Sequence, residues 1–382
     1  MQKTLILGCG IGGIVTSNVL KKIMGQDMQV TVVDRKPDYH YPGAFPLLMI
    51  GQRSPESISR PLERLNRKNI EFICDEIMEL DFENNRVLTT QHILPYDYLV
   101  IALGVEYRSE SVPGFNEYVL NAYEFEDVIK INERIHSFDS GRIVFFISSL
   151  PFKCPPAPYE MVFMLDYFFR QRGNRSKVEL VMVTPEVSPE PLAGPKVGQS
   201  VRKMLADRNI ELITEAKILG VEKDALILDH GMVVKGEMFL GIAPHWTPRV
   251  IRSTNLVDSN GFVEVNPNTL ETDLPNVYAI GDVTALKLPV IEAYAPKAGI
   301  FAHYQGEVVA RNIACLARGL SPRYRYTGKG SCIMHTGFGR ARYSTVNYFA
   351  KPKPFITLLR PSRISYLAKI AFEKYWLNCW LN

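Results

Sequence analysis

Apolar and polar positions along this chain switch between two periods. Thr4-Leu-Ile-Leu7 and Gln29-Val-Thr-Val-Val-Asp34 are continuous apolar runs of strand length, and between them Ile14 to Met24 repeats apolar residues at helical spacing. The same pattern returns at Tyr96 to Gly104, Arg142 to Ser148, Val178 to Thr184 and Leu274 to Asp282, with a helix near Tyr159 to Arg172. The runs ending at Gly104 and Asp282 read as returns to the first sheet, so the strands between them form a second domain inserted in the first. Beyond about residue 320 the alternation stops and a separate C-terminal module begins.

The first turn carries chemistry. Gly8-Cys-Gly-Ile-Gly-Gly13 follows a strand and opens a helix, and Asp34 stands at a strand end about twenty residues on. In that context Gly8, Gly10 and Gly13 form a dinucleotide loop rather than a ligand-free turn. The glycines at 8 and 10 let the backbone approach a pyrophosphate, and Asp34 can accept from both ribose hydroxyls. The fold class is therefore α/β, with two Rossmann-like dinucleotide-binding domains and a C-terminal module. Residues 1–105 and 245–320 make the split outer domain, 106–244 the inner domain and 321–382 the last module.

The inner domain departs from the pattern at its own loop. After Ile147 the chain reads Ser-Ser-Leu-Pro-Phe-Lys-Cys154, bulky and without glycine, where an NADH site needs a close backbone approach. Glu186 stands at a strand end where a ribose-binding acid would be, and the missing glycines still argue against NADH. Pro155-Pro-Ala-Pro158 delays the next helix to about Pro158, which sets Cys154 just ahead of a helix N-terminus. The dipole there, with Lys153 adjacent, predicts a stabilised thiolate. Glu160 in the first turn is either a proton acceptor or a cap.

Composition narrows the classes. The six cysteines show no close pairs and no His/Cys cluster, which excludes a disulfide scaffold and a zinc site, so no metal is expected. No apolar run reaches the ~18 to 20 residues that span a bilayer. The first strand starts almost at Met1, which predicts no Sec-type leader. A net charge of +4 is unevenly spread, because the segment after Cys315 is rich in Lys and Arg with Glu373 as its lone acid. That tail suits phosphate-rich surroundings.

Taken together, Tyr41-Pro-Gly-Ala-Phe-Pro46, Tyr96 to Gly104, Cys154-Pro-Pro-Ala-Pro-Tyr-Glu160, Ala279-Ile-Gly-Asp282, Pro296-Lys-Ala-Gly299 and Gly328-Lys-Gly-Ser-Cys332 resemble the sulfide:quinone oxidoreductases. Relatives of that family include flavocytochrome c sulfide dehydrogenase and type II NADH dehydrogenase. The Cys-Pro-Pro-Ala-Pro-Tyr-Glu string is the specific part. The resemblance implies FAD held at Gly8, Gly10, Gly13, Asp34, Gly104, Gly281 and Asp282, with Lys297 near the flavin pyrimidine. Neither Tyr39 to Leu48 nor Ala102 to Asp127 holds a cysteine, so the FAD is expected to be non-covalent. It also implies that Cys154 and Cys332 form a disulfide or polysulfide bridge over the flavin, which sulfide attacks. Electrons then pass through FAD to a membrane quinone. Cys9, Cys74, Cys315 and Cys379 are expected to be structural.

The tail from Pro361 starts a helix with two apolar stripes. Ile364, Leu367, Ala371 and Tyr375 form one, and Phe372, Trp376 and Trp380 the other. One stripe packs on the body while the second enters a membrane interface, giving a monotopic protein at the cell membrane with no nucleic-acid partner. A homo-oligomer contact is the alternative use of that tail. Phe338 and Phe372 are the candidate quinone neighbours. Three other readings stay open: a flavocytochrome c-type sulfide dehydrogenase, a type II NADH:quinone oxidoreductase, and a non-catalytic flavin-binding redox sensor.

Overall fold

The computed structural model describes residues 1–382. One five-stranded sheet runs in the order Val277–Ala279, Tyr98–Ile101, Gln2–Leu7, Met28–Asp34 and Glu71–Cys74, parallel throughout. Strands that are sheathed on both faces must be apolar along their whole length, and Tyr98–Ile101 is buried at every position. The predicted returns at Tyr96 to Gly104 and Leu274 to Asp282 both join this sheet. The second strand is shorter than expected, because a 3-10 turn over Gly281–Val283 ends the ladder and frees Asp282 from it.

A second parallel sheet runs Val119–Asn121, Met238–Ile242, Gly141–Ile147, Val178–Val183 and Ile210–Ile213. All its strands come from between two strands of the first sheet. The helix Ala157–Arg172 crosses over between Gly141–Ile147 and Val178–Val183, as a parallel pair requires. It starts one residue before the expected Pro158.

In the first domain the helix Ile11–Met24 begins three residues earlier than the apolar period indicated, because Ile11-Gly-Gly13 continue it through the glycine loop. It lies against the helix Gly299–Ala317. Gly306 makes that close crossing possible, since a Cβ there would stand 2.7 Å from Thr16 Oγ1 and 2.9 Å from the Gly12 carbonyl.

The C-terminal module is an antiparallel sheet of Lys329–Gly337, Arg340–Asn347 and Phe355–Leu358, followed by the helix Arg363–Cys379. Ser362 caps that helix by accepting from the Ser365 N–H at 3.1 Å. No helix is long and apolar enough to cross a membrane.

The stripes of this last helix sort oppositely to a membrane role for the tryptophans. Trp376 is 1 % exposed and packs near His303 and Tyr41, with Leu377 and Leu381 buried beside it. Ile364 at 80 %, Leu367 at 63 % and Tyr375 at 52 % face outward, joined by Ala371 and Phe372. Two ion pairs fix that orientation: Arg53 Nε donates to Glu373 Oε1 at 2.6 Å, and Lys369 pairs with Glu160.

A buried carboxylate ties the inner domain to the C-terminal sheet. Asp166 is fully buried, accepts from Arg170 Nε at 3.0 Å and Arg175 Nε at 2.8 Å, and lies 3.7 Å from Arg208 Nη1. Arg208 Nη2 in turn donates to the Thr336 carbonyl at 2.6 Å. Asp166→Ala is expected to cost about 3 kcal/mol, because it leaves these guanidiniums short of their counter-charge. Urea unfolding of the two proteins measures it.

Candidate active site

One cavity of about 1570 Å3 runs from the first glycine loop, between the domains, to the C-terminal helix. Pockets for drug-sized ligands span roughly 300 to 1,000 Å3, so this one has room for a dinucleotide and more.

At one end lies the glycine loop. Gly8 has φ +96, and a Cβ on Gly13 would stand 1.9 Å from the Gly8 carbonyl oxygen, so the loop closes onto the helix only with glycine at both places. Gly10 meets nothing within 4 Å on its open side, which leaves the helix N-terminus bare toward the cavity. Asp34 accepts from the Cys9 N–H at 2.7 Å and from the Lys36 N–H at 2.9 Å while lining the cavity. Gly104 and Gly281 both have positive φ at the ends of their strands.

Asp282 lines the cavity, and its Oδ1 is buried with no hydrogen-bond partner. Burial raises its carboxyl, against Lys153 and Lys297. An orphaned acceptor beside a bare helix N-terminus and a closed glycine turn is the environment that the hydroxyls and pyrophosphate of FAD complete. The residues present therefore fit that cofactor.

Lys297 is less free than its expected role near a pyrimidine suggests. Its Nζ donates to the carbonyls of Asp282 at 2.7 Å and Thr284 at 3.0 Å and lies 3.7 Å from the Phe262 ring centre. Burial lowers its amine to about 8. Its backbone has a second task, because the Lys297 carbonyl accepts from the Cys154 N–H at 2.6 Å. Lys153 and Lys297 form an isolated parallel bridge there.

That bridge holds Cys154 in a left-handed conformation, φ +52. Tyr123 Oη donates to the carbonyls of Lys153 at 2.8 Å and Cys154 at 3.2 Å, closing the segment from the other side. Cys332, in the strand Lys329–Gly337 opposite Ser344, lines the same cavity. The two thiols are near enough that a charge on Cys154 raises Cys332.

The expected stabilised thiolate at Cys154 is not what the site provides. Burial pushes the Cys154 thiol up to about 12, and Glu160 adds to the rise while Lys369 opposes it. Lys153 gives no relief, since its Nζ turns away to lie 5.0 Å from the Tyr107 ring centre and 5.8 Å from that of Tyr123. Burial also holds Cys332 well above its ordinary value.

Glu160 does not cap its helix. It is buried, accepts from the His335 N–H at 3.0 Å and pairs with Lys369. Burial raises its carboxyl despite both partners.

The other expected residues divide between the cavity and its surroundings. Phe338 sits in the turn after Gly337, half exposed and edge-on to Tyr167 at 5.1 Å, away from the cavity. Phe372 lines it, along with Trp376, Ile356 and Leu358. Glu186 is unavailable to a ribose because it accepts from Tyr159 Oη and from Thr184 Oγ1 at 3.1 Å inside the domain. Cys9 and Cys315 are buried as expected, whereas Cys74 and Cys379 are exposed.

The sequence reading passed over Lys369, Glu190 and Arg342, which also line the cavity. A sign was present for one of them: Lys369 is a cation between apolar stripes. Arg342 is buried directly beside buried Ala341, so no alternation along Arg340–Asn347 marked it.

Sulfide-quinone reductase of Aquifex aeolicus is 28 % identical over 396 residues, covering 98 % of this chain and 90 % of its own. Mitochondrial sulfide:quinone oxidoreductase of Mus musculus is 25 % identical over 366 residues, covering 92 % and 79 %. The X-ray structure of the Aquifex aeolicus sulfide:quinone oxidoreductase superposes with a TM-score of 0.91 at 27 % identity, covering 100 % of this chain and 92 % of that one. The family model described as pyridine nucleotide-disulphide oxidoreductase matches residues 2–143 and 167–306. With that match spanning more than half its length, and with its full-length likeness to sulfide:quinone oxidoreductases, the chain belongs to the pyridine nucleotide-disulphide oxidoreductase family as an FAD-dependent oxidoreductase.

Proposed function

We propose that this protein is a monotopic sulfide:quinone oxidoreductase, oxidising sulfide to sulfane sulfur at Cys154 and Cys332. The observation that carries the reading is the meeting of these two cysteines in one cavity with the orphaned acceptor of Asp282. Held non-covalently at Gly8, Gly10, Gly13, Asp34 and Asp282, FAD would supply two-electron transfer between the sulfur site and quinone. The division at residues 105, 245 and 320 assigns the flavin to the split outer domain and the quinone and membrane contacts to the last module.

In the bridged state, sulfide attacks one cysteine sulfur. The new S–S bond leaves a persulfide there, and the old one breaks to release a thiolate on the other cysteine. A raised pKa makes each sulfur a reluctant leaving group and leaves little of the thiolate, the form that attacks. Lys369 opposes the rise at both sulfurs and eases their ionisation. Glu160, raised by burial, is suited to take the proton of the incoming sulfide. His335 is held neutral by burial and by the charges of Lys369 and Arg53, and its backbone N–H steadies the carboxylate.

Phe372 and Trp376 supply flat surfaces for a quinone ring where the cavity reaches the C-terminal helix. The outward face of Ile364, Leu367, Ala371 and Tyr375, flanked by exposed Arg363 and Lys374, suits a bilayer interface. Phe338, outside the cavity and exposed, belongs with the surface at that end rather than with the ring pocket.

Anaerobic sulfide is expected to bleach the oxidised-flavin absorbance, and a quinone analogue to restore it. Cys154→Ser and Cys332→Ser should each slow bleaching by at least about a hundredfold, as loss of a nucleophile does. Rapid bleaching by NADH with none by sulfide would point to the dehydrogenase branch instead. Gly13→Ala should yield protein purified without yellow colour, because its Cβ has no room over Gly8. Ile364→Glu combined with Leu367→Glu should reduce co-sedimentation with anionic vesicles while leaving sulfide bleaching in solution intact.

A further inference from the structure

Glu190 stands in the same cavity as the two cysteines, and the mechanism above does not use it. Its backbone is left-handed, φ +52 and ψ +55, a conformation that a side chain with a Cβ adopts at a cost. The strained turn is held because the Glu190 N–H donates to Glu186 Oε1 at 3.1 Å and Pro191 follows. The side chain is 12 % exposed and pairs with Arg342, whose Nη2 lies 3.4 Å from Oε1. Arg342 is itself anchored at Ser200 Oγ, 3.2 Å away, and at Met204 Sδ, 3.7 Å away. The second carboxylate oxygen of Glu190 takes no hydrogen bond from the protein.

The groups around this carboxylate come from every element that meets it. Arg342 belongs to the strand Arg340–Asn347 and Tyr348 to the turn after it, Cys332 to the adjoining strand, Glu186 to the same loop, Tyr159 to the helix, and Cys154 to the turn before that helix. For Cys332 the effect of Glu190 outranks that of Glu160, whereas for Cys154 the order is reversed. The register of the sheet agrees: Arg342, which holds Glu190, pairs with Met334, two residues along the strand from Cys332 and on the same face.

We propose that Glu190 is a second proton acceptor for sulfide, serving the Cys332 side as Glu160 serves the Cys154 side, with Arg342 as the positioning residue that holds it. The inference rests on the functional reading above. When hydrogen sulfide enters on that side, its S–H bond breaks and the proton passes to Glu190. The freed electron pair forms the S–S bond to one cysteine, and the pair of the broken cysteine bridge stays on the other as thiolate. Sulfide is oxidised, the bridge is reduced, and the total charge is unchanged. Burial raises the carboxyl of Glu190 to about 7 against the pull of Arg342, so at neutral pH it can both accept a proton and release it.

The test compares sulfide-driven flavin bleaching in the wild type and Glu190→Gln from pH 6 to 8. Ionisation of sulfide and of Glu160 cancels in the ratio of the two rates. A base titrating near 7 is about one-tenth ionised at pH 6 and about nine-tenths at pH 8, so the ratio should rise about tenfold. Glu190→Asp, which keeps the charge, should recover much of that rise. In the reduced holoprotein, alkylation of Cys332 by iodoacetamide at pH 8, followed by peptide mass, should be several-fold faster in Glu190→Gln because a charge opposing the thiolate is gone.

A flat ratio, even with slower bleaching, overturns the inference and leaves Glu190 a structural residue. Unchanged alkylation overturns the placement beside Cys332. Failure of the functional reading looks different: sulfide then bleaches neither protein at any pH, and the inference falls with it.

Discussion

One backbone hydrogen bond sets the chemistry of this molecule, the 2.6 Å contact from the Cys154 N–H to the Lys297 carbonyl. It joins a turn of the inner domain to a segment of the outer one, and it holds Cys154 in a left-handed conformation that an isolated chain would avoid. The strand before it, the helix after it and the Tyr123 hydroxyl on its flank all serve to keep that contact closed.

The walls around the cysteines are built from buried charges that balance one another. Lys369 and Glu160 neutralise each other at one side, Arg342 and Glu190 at another, and Lys297 spends its donors on carbonyls beside Asp282. Desolvation penalises each charge, and each survives because a partner from a different element comes to it. The same penalty explains why both thiols stay protonated. The state of these sulfurs is set by a dry, balanced interior rather than by a helix end.

Much of this architecture could be read from the chain. Continuous apolar runs of strand length identified the sheets, and the glycine loop with Asp34 located the dinucleotide end, because those signals depend on local backbone geometry. Cys154 was visible by its setting, a thiol where a phosphate loop would stand. What stayed hidden required knowing which side chains meet across elements. Lys153 lies next to Cys154 in sequence yet turns toward Tyr107, while Lys369, in the last helix, is the cation that acts on both thiols. The two stripes of that helix were legible, but which one faced outward was settled by Arg53 and Glu160, far away in the chain.

The C-terminal helix is commonly thought of as an anchor when it presents such an apolar outer face. Here its inner face supplies the counter-ion of a buried carboxylate and a wall of the cavity. A chain ended before Arg363 would therefore open the interior to water and leave Glu160 as an uncompensated buried charge. In engineering terms the helix is a keystone: its outer face can be recoloured, but the helix cannot be cut away.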